Sequence, residues 1–187
     1  MRKNFGAKPW LYPMPVLIVA TYGEDGTPDA MNAAWGAACD MDKVALTLSV
    51  EHRTVKNILA RRAFTVSIGT EDQLTACDYV GVVSGNDVSD KFAKAGFHAA
   101  KSEFVDAPLI EELPMALECR LIRYDEETEC AVGEIVNVCA AERVLGADGK
   151  IDPEKLRPIS YDPVNQTYLA LGERVGKAFK DGLKLRK

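Results

Sequence analysis

No stretch of this 187-residue chain approaches the roughly 18 consecutive apolar residues of a membrane-spanning helix. The opening MRKNFGAKPWLYPMPVL is broken by Pro9, Pro13 and Pro15, so it does not read as a signal peptide, and the cytoplasm is the expected compartment. Histidine is scarce: only His52 and His98 occur. The five cysteines (Cys39, Cys77, Cys119, Cys130 and Cys139) are odd in number and contain no CxxC. That argues against both a disulfide framework and a zinc ribbon, and no metal is expected. The cysteines read as small buried hydrophobes, and nothing marks one as redox-active. Basic residues are in deficit, with 23 Lys and Arg against 28 Asp and Glu and a net charge of −5. Broad phosphate neutralisation is therefore disfavoured, and neither nucleic acid nor a membrane is an expected partner. A few local cations can still hold one small anion inside an acidic protein. Finally, no G-x-G-x-x-G follows a strand, so a separate nicotinamide-binding domain is not indicated.

What is present is an ordinary globular composition, 47% apolar and 27% charged, in a chain long enough for one good core; a single domain over residues 1–187 is expected. PVLIVATY (15–22), KVALTLSV (43–50) and AFTVSIG (63–69) read as strands, and a hairpin turn follows the first at Gly23-Glu24-Asp25-Gly26. Between the turn and the second strand, TPDAMNAAWGAACD consists of poor strand formers. So many small residues suggest that backbone comes close to something. HRTVKNILARR (52–62) has Val55, Ile58 and Leu59 on one face of a short helix. Residues 71–81 and 87–96 also look helical, the latter stopping at Gly96. Residues 108–114 read as a connector, and 115–127 and 128–145 as two long strands of a hairpin. Residues 165–179 read as a closing amphipathic helix with two internal glycines. Strands outnumber helices and neighbours are joined by hairpins, which favours an antiparallel barrel or sandwich with helices at its ends.

Three segments carry chemistry. In SVEHRTVKNI (49–58), a helix starting near Arg53 directs free N–H groups out of the end of the preceding strand, a natural anion site. Arg53 adds a planar fork suited to phosphate, and Thr54 and Ser49 add hydroxyls. The plainer alternative is a helix with a solvated basic face, since Arg53, Lys56, Arg61 and Arg62 are close together. In AMNAAWGAACD (30–40), Asn32 and Trp35 stand among small residues, a setting for a flat heteroaromatic ligand or simply for a core Trp. In SGNDVSDKFAKAGF (84–97), Lys91 sits early in a short helix behind Asp87 and Asp90; alone it reads as a surface lysine.

Taken in order, these segments resemble the flavin reductase-like family on the FMN-binding split barrel, and most of all flavoredoxins. The matching features are N-A-A-W, S-x(3)-R-T-x-x-N-I, S-G-x(4)-D-K-F-A-x-x-G-F, V-G-E-I-V-N-V and P-I-S-Y-D-P-V-N-Q-T-Y-L-A-L-G-E-R-V-G-K-A-F, spread from about Pro13 to Phe179. The resemblance implies a mainly β fold: a six-stranded antiparallel split β-barrel, Greek-key-like, with flanking short helices and a C-terminal helix. It also implies an FMN-binding homodimer with the flavin near the subunit interface. Carried over residue by residue, Asn32, Ala33 and Ala34 lie along the isoalloxazine or ribityl chain, with Trp35 flanking. Ser49, Arg53 and Thr54 hold the phosphate, and Lys91 adds charge at the same end. Asn57, one helical turn after Arg53, either joins them or braces the loop. Tyr161 stands where the family has an aromatic residue beside the flavin.

One departure stands out. Relatives often carry a histidine just before the V-G-E strand, whereas this chain has Thr128, Glu129 and Cys130 there. A flavin accepting hydride benefits from a cation near N1, so its redox behaviour is expected to differ unless another group serves. The implied activity passes electrons from NADH or NADPH through FMN to flavin, iron or another acceptor. No side chain is required as acid or base, and no catalytic residue is assigned. The alternative is an electron carrier that exchanges electrons with a redox protein partner, for which YDEETE (124–129) offers an acidic docking patch. A scaffold that has lost its flavin is the third reading, and the retained phosphate set argues against it.

Overall fold

The computed structural model describes residues 1–186. The chain enters through β1 (Met14–Pro15), β2 (Leu17–Tyr22), β3 (Pro28–Ala33), β4 (Gly36–Asp40) and β5 (Lys43–Thr47), then α1 (Arg53–Arg61) and β6 (Ala63–Ile68). Next come α2 (Leu74–Val82), α3 (Lys91–Lys94), β7 (Ala99–Lys101), β8 (Pro108–Ile110) and the long pair β9 (Met115–Asp125) and β10 (Cys130–Ala140). α4 (Pro153–Leu156), β11 (Ile159–Asp162) and β12 (Thr167–Ala170) follow.

Seven strands form one antiparallel sheet in the order β3-β2-β6-β9-β10-β5-β4. Its two edge strands, β3 and β4, are joined by Ala34 and Trp35 alone. Three peptide links reach at most about 11 Å, so the edges must converge at that corner and the sheet curls into a half-barrel. Thr47 donates from its N–H to the Trp35 carbonyl (2.8 Å) and holds the corner against β5. The sheet therefore has seven strands where six were expected, because both halves of the small-residue segment 27–40 join it.

Period-two alternation divides the core between the two faces of the sheet. On β2, Leu17 and Val19 point into the barrel with Leu46, Phe64, Val66 and Leu121. Ile18 and Ala20 point outward, to Cys77 and Val80 of α2 and to Phe92 and Phe97. β3 is covered on both faces, so its alanines have the size that fits between barrel and α2. Tertiary packing overrides their low strand propensity. Gly133 of β10 lies over Phe64, and a Cβ there would come 2.4 Å from Phe64 Cζ. The ladder slips register at Val132/Gly133, a bulge that bends the strand around this ring.

α1 forms as expected, with Val55 and Ile58 buried. It ends at Arg62, in the left-handed region at φ 57° and donating to the Ile58 carbonyl. An arginine occupies this glycine-like position while its guanidinium donates to the carbonyls of Leu121 and Ile122, both at 3.0 Å.

The C-terminal segment departs from expectation. Residues 165–179 do not form an amphipathic helix: Thr167–Ala170 is β12, paired antiparallel with β11. A helix there would carry Gly172 and Gly176 in its interior at about 1 kcal/mol each. Thr167, Tyr168 and Leu169 suit a strand, and Gln166 turns the chain at φ 55°. The expected 87–96 helix shortens to Lys91–Lys94, and the 108–114 connector contains β8.

Candidate functional site

The strand-to-helix corner was singled out for its donors, and the structure leaves them open. His52, at the N-cap of α1, makes no side-chain cap, and the first turn holds no acidic residue. Among the described residues, no backbone partner is found for the Arg53 and Thr54 N–H groups. Helix dipole and free donors thus face the same direction. A cavity of about 140 Å³ opens there, lined by His52, Arg53, Thr54, Met31, Lys91 and the segment 80–85.

The four basic residues of this region separate by role. Arg61 donates to the carbonyls of Gly23 (2.6 Å) and Glu24 (3.0 Å), tying α1 to the β2–β3 turn. Arg62 is used on β9. Lys56 is exposed and outside the cavity. Arg53 remains: it lines the cavity and donates to the Gly85 carbonyl at 3.3 Å. A uniformly solvated basic face therefore does not describe α1.

Thr54 and Lys91 are both buried, and both turn to a residue that the sequence reading passed over. The Thr54 hydroxyl donates to Asp29 Oδ2 at 2.6 Å, and Lys91 Nζ lies 3.7 Å from Asp29 Oδ1. Lys91 also donates to the carbonyls of Val80 (3.3 Å) and Val83 (3.0 Å) at the end of α2, where a cation complements the helix dipole. It is not a surface lysine. Burial pushes its pKa down, Asp29 opposes that shift, and Arg53 adds to it. Asp29 had no sequence signal, since one acidic residue in a strand-poor segment is not distinctive.

A second cavity of about 280 Å³ adjoins the first, with Gly81 and Val82 lining both. It is lined by Asn32, Ala34, Tyr161, Tyr168, Asp78 and Val16. Gly81 lets α2 close onto β3, because a Cβ there would come 2.9 Å from Asn32 Cβ. Asn32 donates through Nδ2 to the Cys77 carbonyl at 3.2 Å. Tyr161 and Tyr168 pack with centroids 6.0 Å apart and ring planes tilted by 56°. The Tyr168 hydroxyl donates to Asp78 at 2.7 Å, and burial raises its pKa above the ordinary phenol range. Tyr168 was hidden by the helical reading of its segment.

The remaining expected residues distribute as follows. Ala33 turns its side chain into the barrel core, so only its backbone is available. Trp35 is 56% exposed at the corner between β3 and β4. Ser49 is half-buried and lines neither cavity; its carbonyl accepts from His52 N–H at 3.1 Å. Asn57 is buried and donates to Thr21 Oγ1 of β2 at 3.1 Å. Glu129 and Cys130 sit at the β9–β10 turn, where the Glu129 carbonyl accepts from Leu48 N–H at 2.8 Å. Neither lines the cavities.

Asp162 follows Tyr161 and organises the β11–β12 turn. It accepts from the N–H groups of Val164 (2.9 Å) and Asn165 (3.3 Å), from Asn165 Nδ2 (2.7 Å) and from the Tyr12 hydroxyl. The Tyr12 hydroxyl and then the Asn165 amide draw its pKa down to about 2. A depressed carboxylate contributes stability above its unfolded pKa, and that stability is lost as pH falls toward the folded value. An NMR titration of this carboxyl should therefore have its midpoint at about 2 in the native chain and move toward 3.8 in Tyr12→Phe. An unchanged midpoint in the variant would assign the shift to the turn alone.

Residues 10–158 match the flavin reductase like domain family. A flavoredoxin of Desulfovibrio vulgaris (Miyazaki F) is 39% identical and superposes with a TM-score of 0.93, covering 97% of this chain and 100% of its own. A flavoredoxin of Methanosarcina acetivorans is 25% identical with a TM-score of 0.89, covering 99% of each chain. An uncharacterised protein of Aquifex aeolicus is 28% identical over 156 residues, 79% of each chain. With its half-barrel, its uncapped α1 corner and a match over most of its length, this chain belongs to the flavin reductase like domain family.

Proposed function

We propose that the two adjoining cavities hold FMN, with its phosphate at α1 and its ring toward Tyr161, and that the protein is an FMN-dependent oxidoreductase using reduced nicotinamide. The observation that carries this is the uncapped N-terminus of α1, facing a cavity beside Arg53 that adjoins an aromatic-walled one. Arg53 and the Arg53 and Thr54 N–H groups would hold the phosphate, and buried Lys91 adds charge behind them. Asn32 would meet the polar edge of the ring with Oδ1, its Nδ2 being committed to Cys77. Tyr161, Tyr168 and Val82 form an apolar wall, and Trp35, exposed at the β3–β4 corner, would flank the ring. When bound, FMN supplies the hydride and electron chemistry, and the protein positions and tunes it. The FMN-binding domain from Shewanella baltica OS155, 23% identical with a TM-score of 0.78, shares this fold.

A homodimer is part of the same reading. The accessible surface of 11639 Å² exceeds the roughly 8,800 Å² expected for a compact monomer of this mass. The two ends of the chain contribute to it, exposing Phe5, Leu11, Leu171, Val175, Phe179 and Leu185. A second copy covering these arms would remove them from water.

The kinship with flavoredoxins favours a second reading, an electron carrier fed by a protein donor. One preparation separates the two. Purified protein should show an oxidised-flavin spectrum that bleaches promptly with anaerobic NADH or NADPH, and light scattering should return twice the 20.4 kDa chain mass. A spectrum unmoved by either nicotinamide supports the carrier. A colourless protein that takes up no added FMN rejects both readings.

A further inference from the structure

We propose that Asp29, which lies behind the cavity wall, is the positioning residue that assembles the anion corner by holding Thr54 on one carboxylate oxygen and Lys91 on the other. The inference rests on the phosphate reading above. Asp29 is 4% exposed and sits in β3 opposite Thr21. It accepts the Thr54 hydroxyl at 2.6 Å and lies 3.7 Å from Lys91 Nζ. A third segment packs on it: a Cβ on Gly85 would come 2.6 Å from Asp29 Oδ1 and 3.3 Å from Arg53 Cδ. One carboxylate thus touches the start of α1, the start of α3 and the loop after α2, which are the walls of the 140 Å³ cavity.

A carboxylate behind an anion site looks counterproductive until the charges are placed. Lys91 is buried against the Val80 and Val83 carbonyls from α2, faces Asp29 from β3 and feels Arg53 from α1. Without a counterion, burial favours the neutral amine. Asp29 keeps the ammonium charged before any anion arrives, so the site is set in advance and binding requires no proton. Thr54, held by its hydroxyl, keeps its N–H directed at the cavity. His52 also lines the cavity, and the measurements are made above about pH 7.5, where a phosphate monoester is already a dianion.

The test compares FMN and riboflavin, which differ only in the phosphate, on purified apoprotein by calorimetry. Asp29→Asn should weaken FMN about 10- to 100-fold, the worth of one charged hydrogen bond, and leave riboflavin unchanged. Its FMN affinity should fall as pH rises from about 7.5 to 9, because binding must now protonate Lys91, while the native chain stays flat. Adding Lys91→Met should abolish that slope. Equal losses for FMN and riboflavin, native-like FMN binding, or a loss without a pH slope would each overturn the proposal. If Asp29→Asn alone is insoluble, the double variant decides: a folded protein with weak, pH-independent FMN binding supports the pairing, and an equally insoluble one rejects it. Arg53→Ala is run alongside. If it lowers FMN and riboflavin affinity equally, or changes neither, the phosphate reading itself is wrong, whatever Asp29→Asn does.

Discussion

Arg53→Ala is expected to weaken FMN binding by about 10- to 100-fold while leaving riboflavin within about twofold. Arg53 is the one member of its basic cluster that lines the cavity at the α1 N-terminus. Arg61 and Arg62 are committed to backbone carbonyls of the β2–β3 turn and of β9. Arg61→Ala therefore serves as a control that removes the same charge and one turn anchor but no phosphate contact; its FMN-to-riboflavin ratio should stay native. Thr54→Ala should behave differently from Arg53→Ala, because the Thr54 hydroxyl is spent on Asp29. Fluorescence titration of apoprotein at two salt concentrations provides the readout. The native FMN affinity should fall with salt and the Arg53→Ala affinity less so, since an ion contact is screened. Equal affinities for FMN in native and variant protein would remove the phosphate from this corner.

Phe64→Ala should cost about 3–5 kcal/mol of stability, a large share of the roughly 5–15 kcal/mol typical of a domain. Phe64 is wholly buried in the barrel cluster among Val19, Leu46, Val66 and Leu121. It also fills the space that Gly133 leaves open, and the register slip of β10 occurs there. Deleting the ring leaves a cavity among side chains anchored on paired strands, which can collapse only in part. The melting temperature of the apoprotein should drop by roughly 6–20 °C, and saturating FMN should recover part of the loss by mass action. The complementary variant, Gly133→Ala, pushes a Cβ into the ring and should also destabilise, by about 1–3 kcal/mol. A shift of only a degree or two for Phe64→Ala would mean that the barrel interior repacks far more freely than its geometry suggests.

Much of the architecture was legible because it is local. β2, β6, α1 and the β9–β10 hairpin follow from β-branched runs, a 3.6-residue apolar stripe and long alternating segments. The donor-rich corner was legible for a similar reason, since Ser49 to Ile58 places donors and cations at one strand-to-helix junction. β3 and β4 were not, because an alanine-rich strand forms only where packing on both faces demands small side chains. β12 was missed because Tyr168 and Leu169 satisfy a helical stripe as well as a strand. The contest was decided by pairing with β11 and by the Tyr168 hydroxyl reaching Asp78, 90 residues away in sequence.

By itself, the sequence determined a β-rich fold, the place of α1 and the donor set at its start, because these depend on residues within a few positions of one another. Only the tertiary structure decided which of four neighbouring cations faces the cavity, that Ala33 turns into the core while Asn32 and Ala34 line the cleft, and that Asn57 braces Thr21. It alone placed Asp29 between Thr54 and Lys91, residues 25 and 62 positions further along the chain. Strand alternation chooses a face only once register is set, and a buried charge finds its counterion through the folding of distant segments. Neither is written in any short window of sequence.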